Sequence, residues 1–177
     1  MARPISLSRF LSVAETAPAD DGRTARKSDR VEQRSSVLGA LPVSAAEFSG
    51  VRYATPDDYA AREVRGSRMR TVAGVFDEFA AALQFPYYFG GNKDAFDECL
   101  RDLDDFIGPV RGYVIAVRDA AQVLGEEPDQ RTWFAEAMVD CADYWARRDV
   151  VFRVVLQGDA PAGVSAARLE LDSRNRE

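Results

Sequence analysis

The sequence predicts an α/β domain with a small three-stranded, mostly parallel sheet packed by about four helices. Two β-branched, nearly all-apolar runs, GYVIAV at 112–117 and VVFRVVL at 150–156, are typical of buried strands. The residues between the strands repeat apolar positions at steps of three and four, which indicates helices. Strands joined through helical crossovers favour parallel pairing.

The elements of this domain are expected within residues 60–157. In chain order they are a strand at 61–64, a helix at 71–83, a helix at 92–106, a strand at 112–117, a short helix at 118–124, a helix from Asp129 or Thr132 to 147, and a strand at 150–156. Thr71 and Asn92 are good N-caps for their helices, and Pro86 prevents the first of these from continuing.

The chain ends differ in composition from this domain. Residues 1–55 are expected to form an N-terminal extension that is largely disordered or loosely docked. Within it, 4–14 is predicted to form a short amphipathic helix and 16–36 to be disordered, while 37–48 is apolar enough to dock on the domain. Polar residues interrupt any signal-peptide core. Residues 158–177 are expected to form a flexible C-terminal tail.

Composition excludes several kinds of chemistry. The 177 residues contain no histidine, so a histidine general base and a histidine-dependent catalytic triad are absent, and no cofactor or metal site is expected. Cys99 and Cys141 lack CxxC spacing and lie on predicted helices, which indicates buried thiols in a reducing compartment. A net charge of −6 disfavours nucleic acid and favours a basic partner.

Residues 92–106 form an acidic amphipathic helix in this interpretation. The apolar residues fall on one side, namely Ala95, Phe96, Cys99, Leu100, Leu103 and Phe106. The polar ones fall on the other, namely Asp94, Asp97, Glu98, Arg101 and Asp105. Six acids stand against two bases in this stretch.

An aromatic loop precedes this helix. Phe85, Tyr87, Tyr88 and Phe89 stand nearly in a row before a double glycine. Aromatic side chains beside carboxylates suit an interface that needs rigid contact area and charge.

The run YFGGNKDAFDECL resembles the signature of the barstar family, intracellular inhibitors of secreted microbial ribonucleases. The resemblance implies that Tyr88 is the binding-loop tyrosine, Asn92 begins the helix and Asp94 is the first inhibitory carboxylate. Glu98 replaces a second carboxylate that is usually aspartate, and Asp97 replaces an aromatic residue, commonly tryptophan. The complete predicted partner-binding set is Tyr87, Tyr88, Phe89, Gly90, Asn92, Asp94, Asp97 and Glu98.

The resemblance implies a barstar-like, non-enzymatic immunity protein of the bacterial cytoplasm. It would be monomeric when free and would occlude a basic, secreted, guanyl-specific ribonuclease in a 1:1 complex, without binding nucleic acid or membrane. A fold retained for a different basic protein or toxin is the alternative. Two weaker readings are a glycoside hydrolase using paired carboxylates and a calcium site in residues 102–105, although the latter lacks the EF-hand glycine and terminal glutamate.

Overall fold

A computed structural model describes residues 3–12 and 37–172. Its elements in chain order are β1 (Ile5–Ser6), α1 (Leu7–Leu11), β2 (Leu38–Leu41), α2 (Ala45–Phe48), β3 (Tyr59–Arg65), α3 (Val72–Leu83), α4 (Lys93–Arg101), α5 (Leu103–Phe106), β4 (Gly112–Arg118), α6 (Arg131–Ala146), β5 (Val151–Gln157) and β6 (Ala167–Glu170). The predicted disorder of residues 16–36 lies outside the described residues.

The sheet has the strand order β1-β6-β2-β5-β4-β3, and every neighbouring pair is parallel. The predicted α/β class with a parallel sheet and several helices is confirmed. The predicted number of three strands is wrong, because the residues that the structure describes form a sheet of six. The three expected strands are β3, β4 and β5, and the additional three come from the two chain ends.

The additional strands extend the sheet from β5. β2 pairs with β5 in a register that places Leu38 beside Val154, then β6 pairs with β2, and β1 pairs with β6. Without β2, β5 would expose a row of unpaired backbone groups at a sheet edge. The described parts of the segments expected to be loosely docked or flexible therefore contain strands of the same sheet.

Hydrophobic residues cover both faces of the sheet. Tyr113, Ile115 and Val117 of β4 belong to a large core with α3, α4 and α6. Val114 and Ala116 belong to a second core, together with α1 and residues 48–51. Since successive strand residues point to opposite faces, these cores lie on opposite sides of the sheet. The predicted two-sided burial of this strand is confirmed.

Local sequence signals account for α3 and partly for the later helices. Thr71 caps α3 by accepting the Gly74 N–H at 3.1 Å, as predicted, and Gln84 ends the helix in the left-handed conformation with φ 58°. The predicted cap of α6 by Asp129 or Thr132 is wrong, because Gln130 precedes this helix without a side-chain capping bond.

The single helix expected at 92–106 is divided at Asp102. This residue has φ −112° and ψ 23° and separates α4 from α5. Its carboxylate follows Glu98 by four residues, a like-charge spacing that disfavours a continuous helix. A short aspartate side chain is also a poor residue for a helix interior.

Candidate protein-binding surface

The aromatic loop is anchored by its phenylalanines. Phe89 packs edge-on against Phe76, with ring centroids 5.8 Å apart, and against Phe85 at 5.2 Å. The Phe89 N–H also donates to the Pro86 carbonyl at 2.9 Å, which closes a tight turn. The two residues at the tip of this turn, Tyr87 and Tyr88, are 101% and 70% exposed. Thus Phe85 and Phe89 fix the loop and the two tyrosines face solvent.

The double glycine connects this loop to α4. Gly91 has φ +62°, a conformation that glycine adopts without a side-chain clash. Asn92 follows and accepts the Ala95 N–H at 2.9 Å through Oδ1, which confirms its predicted capping role. The glycine and the cap together set the direction in which α4 leaves the loop.

α4 has a buried apolar side and a charged outer side. Phe96, Cys99 and Leu100 are buried, whereas Asp94 and Glu98 are exposed one turn apart and Asp97 is half-buried. Cys99 and Cys141 are both free and buried, as predicted. The helix is therefore held by its apolar side, and its carboxylates remain accessible to another molecule.

The carboxylates of residues 94–105 form no ion pairs within the described part of the chain. In the described part of the chain, no lysine or arginine nitrogen lies within 4.0 Å of a carboxylate oxygen of Asp94, Asp97, Glu98, Asp102, Asp104 or Asp105. The ion pairs found there connect other residues, such as Arg65 with Glu78. The acids of this surface are therefore not held in ion pairs by the residues that the structure describes.

The two basic residues of α4 lie beside aromatic rings of α6. Lys93 Nζ is 4.7 Å from the Trp133 ring centroid and donates to Gln130 Oε1 at 2.5 Å. The Arg101 guanidinium carbon is 5.9 Å from the Tyr144 ring centroid. Such cation–π contacts hold both cations at the boundary between the helices, away from ion pairs with the acids.

Burial, together with neighbouring like charges, raises pKa values on this surface. Burial raises the pKa of Asp97, and the negative charges of Asp140 and Asp94 add to this effect against the opposing influence of Arg101. The pKa of Asp102 is also raised, first by burial and then by three neighbouring carboxylates. Both groups would be stabilised in their charged form by a cation from outside the domain.

Buried hydrogen bonds fix α6 to the C-terminal end of α4. Trp145 Nε1–H donates to the Leu100 carbonyl at 2.9 Å, and the Cys141 thiol lies 3.6 Å from the same oxygen. A carbonyl near a helix end lacks its usual backbone donor, so these side chains satisfy it. The acidic surface therefore rests on two helices in a fixed relative position.

The predicted partner-binding residues form one continuous stretch, from the loop through the first turns of α4. Sequence reasoning missed the contributions of α6, in particular Asp140 opposite Asp97 and Tyr144 beside Arg101. No local pattern signals these neighbours, because they depend on how α4 and α6 align after folding.

Among residues 3–12 and 37–172, no group of three or more His, Cys, Asp or Glu residues is placed to hold a metal ion. Within the same ranges, no helix has both the length and the apolar character needed to cross a bilayer.

The fold and surface define an α/β domain in which an anchored aromatic loop lies beside an acidic helix. A family model described as Barstar (barnase inhibitor) matches residues 59–157, from the first residue of β3 to the last of β5. The chain belongs to the Barstar family. β1, β2 and β6 lie outside the matched region. A comparison with curated proteins gives no match.

Proposed function

We propose that this protein is a non-enzymatic, cytoplasmic inhibitor that binds and occludes the active site of a secreted, guanyl-specific microbial ribonuclease. The observation that carries the proposal is the acidic surface of α4, whose carboxylates form no ion pair among the described residues and which lies beside two exposed tyrosines. The family match supplies the class of partner.

The carboxylates would act as substitutes for RNA phosphates. A ribonuclease active site concentrates cationic groups that hold phosphate oxygens, and Asp94 and Glu98 present carboxylate oxygens one helical turn apart. Charge-assisted hydrogen bonds from arginine or lysine of the ribonuclease would bind them. The remaining acids would mainly accelerate encounter, and salt would weaken that contribution.

The aromatic loop would supply the apolar part of the contact. Tyr87 and Tyr88 carry large exposed rings on a turn that Phe89 holds in place. Because the turn is already fixed, little conformational entropy would be lost on binding. Inhibition would be steric, with the ribonuclease active site covered and no bond made or broken.

Calorimetric titration of the full chain into a guanyl-specific secreted ribonuclease tests this proposal. Wild type is expected to bind 1:1, to block RNA cleavage and to weaken with added salt. Asp94→Ala with Glu98→Ala should lose about a hundredfold or more in affinity, because each truncation leaves a partner cation buried without its counter-charge.

The matched control is Asp104→Ala with Asp105→Ala on α5. It removes the same charge from exposed positions next to α4 but outside its exposed face. Only a modest, salt-dependent loss is expected there, through a slower association rate. Equal binding of wild type and the Asp94/Glu98 double variant would show that these two acids are not the inhibitory pair.

An alternative is that the surface binds a different basic protein or toxin. Asp97 favours this alternative, because it stands where the resemblance implies an aromatic contact and its pKa is raised by burial and by the charge of Asp140. An absence of binding to several guanyl-specific ribonucleases, together with binding of another basic toxin that depends on Asp94 and Glu98, would identify this second function.

A further inference from the structure

Beyond the acids of α4, two arginines are gathered around one exposed side of α6. The Arg148 guanidinium carbon lies 3.7 Å from the centroid of the Tyr144 ring, and that of Arg101 lies 5.9 Å from the same centroid. Arg148 Nη1 also donates to the Tyr144 carbonyl at 3.2 Å. We refer to Tyr144, Arg101 and Arg148 as the Tyr144 corner.

The Tyr144 corner packs against a buried, hydrogen-bonded tryptophan. The Tyr144 ring packs edge-on against Trp145, with centroids 5.3 Å apart, and the Trp145 indole is bonded to the Leu100 carbonyl of α4. The ring therefore holds both guanidinium groups with less freedom than exposed arginines usually have.

Neither arginine of the corner forms an ion pair with the residues that the structure describes. Arg101 and Arg148 are exposed, and no carboxylate oxygen in the described chain lies within 4.0 Å of their side-chain nitrogens. Planar guanidinium groups held in this way present hydrogen-bond donors suited to a carboxylate or phosphate. The adjoining acidic surface and the net charge of −6 disfavour RNA phosphate.

The sign of the charge reverses along the boundary between α4 and α6. Asp97 of α4 and Asp140 of α6 contribute two negative charges that act on each other. One turn further along, α4 carries Arg101 and α6 carries Tyr144, whose ring also contacts Arg148. A partner that covers the acidic surface and extends in this direction meets positive charge at its margin.

We propose that the Tyr144 corner is a specificity element that selects partners carrying a carboxylate at this margin and disfavours partners that are basic throughout. This inference rests on the proposed function, since it concerns the edge of the same surface. Like charges placed together across an interface weaken the wrong complex, which is how such an element would discriminate.

The test compares Arg148→Glu with Arg147→Glu in the full chain. Arg147 is the neighbouring exposed arginine at the same helix end and makes no ring contact in the described structure, so both variants change the net charge equally. The probe is a guanyl-specific secreted ribonuclease in which the charged side chains at the rim of the active site are all basic. Arg148→Glu should tighten binding about tenfold or more relative to Arg147→Glu. Arg148→Gln and Arg147→Gln repeat the comparison in case a reversal disturbs folding.

A second arm replaces basic rim residues of the ribonuclease by glutamate, one at a time. At least one replacement should strengthen binding to wild type but not to Arg148→Glu, which would identify the complementary position. Suppose that wild type binds the ribonuclease but the Arg148 and Arg147 variants have equal affinity, or that no rim replacement strengthens binding. The specificity element is then refuted, and the inhibitor function stands. If no variant binds any ribonuclease, both proposals fail. RNA binding that depends on Arg148 would also overturn the inference.

Discussion

Replacing Leu11 by alanine tests whether the N-terminal extension is a structural layer of the domain. Leu11 is 0% exposed, and it contributes with Leu7 and Phe10 to the core on the second face of the sheet. Removing a fully buried leucine side chain costs about 2–5 kcal/mol, through lost burial and the cavity left behind. Urea unfolding should therefore show a lower midpoint with a similar slope.

The control for this change is Arg9→Ala in the same helix. Arg9 is exposed, so its replacement should alter the free energy of unfolding by less than about 0.5 kcal/mol. The Leu11 variant should keep its affinity for the ribonuclease, because α1 and α4 cover opposite faces of the sheet. A free energy of unfolding equal to that of wild type would show that α1 contributes nothing to the core.

Two further changes test the acidic surface and its support. Asp97→Asn should raise the free energy of unfolding at neutral pH by less than about 1 kcal/mol, since the group is partly exposed. The pKa of Asp97 is raised in the folded protein. The free energy of unfolding of wild type should therefore fall as pH increases from the ordinary aspartate pKa to the raised one. The variant should lack this fall when urea unfolding is measured across the same pH range. If the free energy of unfolding depends on pH in the same way in the variant and in wild type, the assigned effect of Asp97 is wrong. Trp145→Phe should cost about 1–3 kcal/mol in the same assay, because the buried Leu100 carbonyl loses its indole donor. Unchanged stability would show that this hydrogen bond does not secure the two helices.

Local signals predicted β3, β4, β5 and α3 correctly. The caps formed by Thr71 and Asn92 were readable because capping depends on a few neighbouring residues. The apolar run of β4 indicated burial on both faces, and the second core confirms it. This run predicted that other residues pack on both faces of the sheet, but it did not indicate which part of the chain packs on the second face.

The additional strands could not be predicted from such signals. β1 has two residues, and β2 and β6 have four each, which is too short for alternation to be distinguished from a loop. Their formation depends on pairing with β5 and with one another, which is a property of the folded chain. The same reason hid Asp140, whose position opposite Asp97 is decided by the alignment of two helices.

The acidic surface departs from the local rules that stabilise helices. Glu98 and Asp102 repel at four-residue spacing, and carboxylates near the C-terminal end of α4 oppose the helix dipole. Lys93 and Arg101 stand on the same helix, yet they lie against the rings of Trp133 and Tyr144. The packing of the buried side of α4 maintains the helix despite this repulsion and the unfavourable interaction with the helix dipole.

Departures of this kind are expected at functional sites, where stability is given up for another requirement. The free energy lost to repulsion among the acids would be recovered when a partner supplies cations. It follows that substitutions such as Asp97→Asn, which relieve the repulsion, should stabilise the free protein while weakening the complex. Opposite effects of one substitution on folding and on binding would distinguish a surface selected for a basic partner from a merely solvated acidic helix.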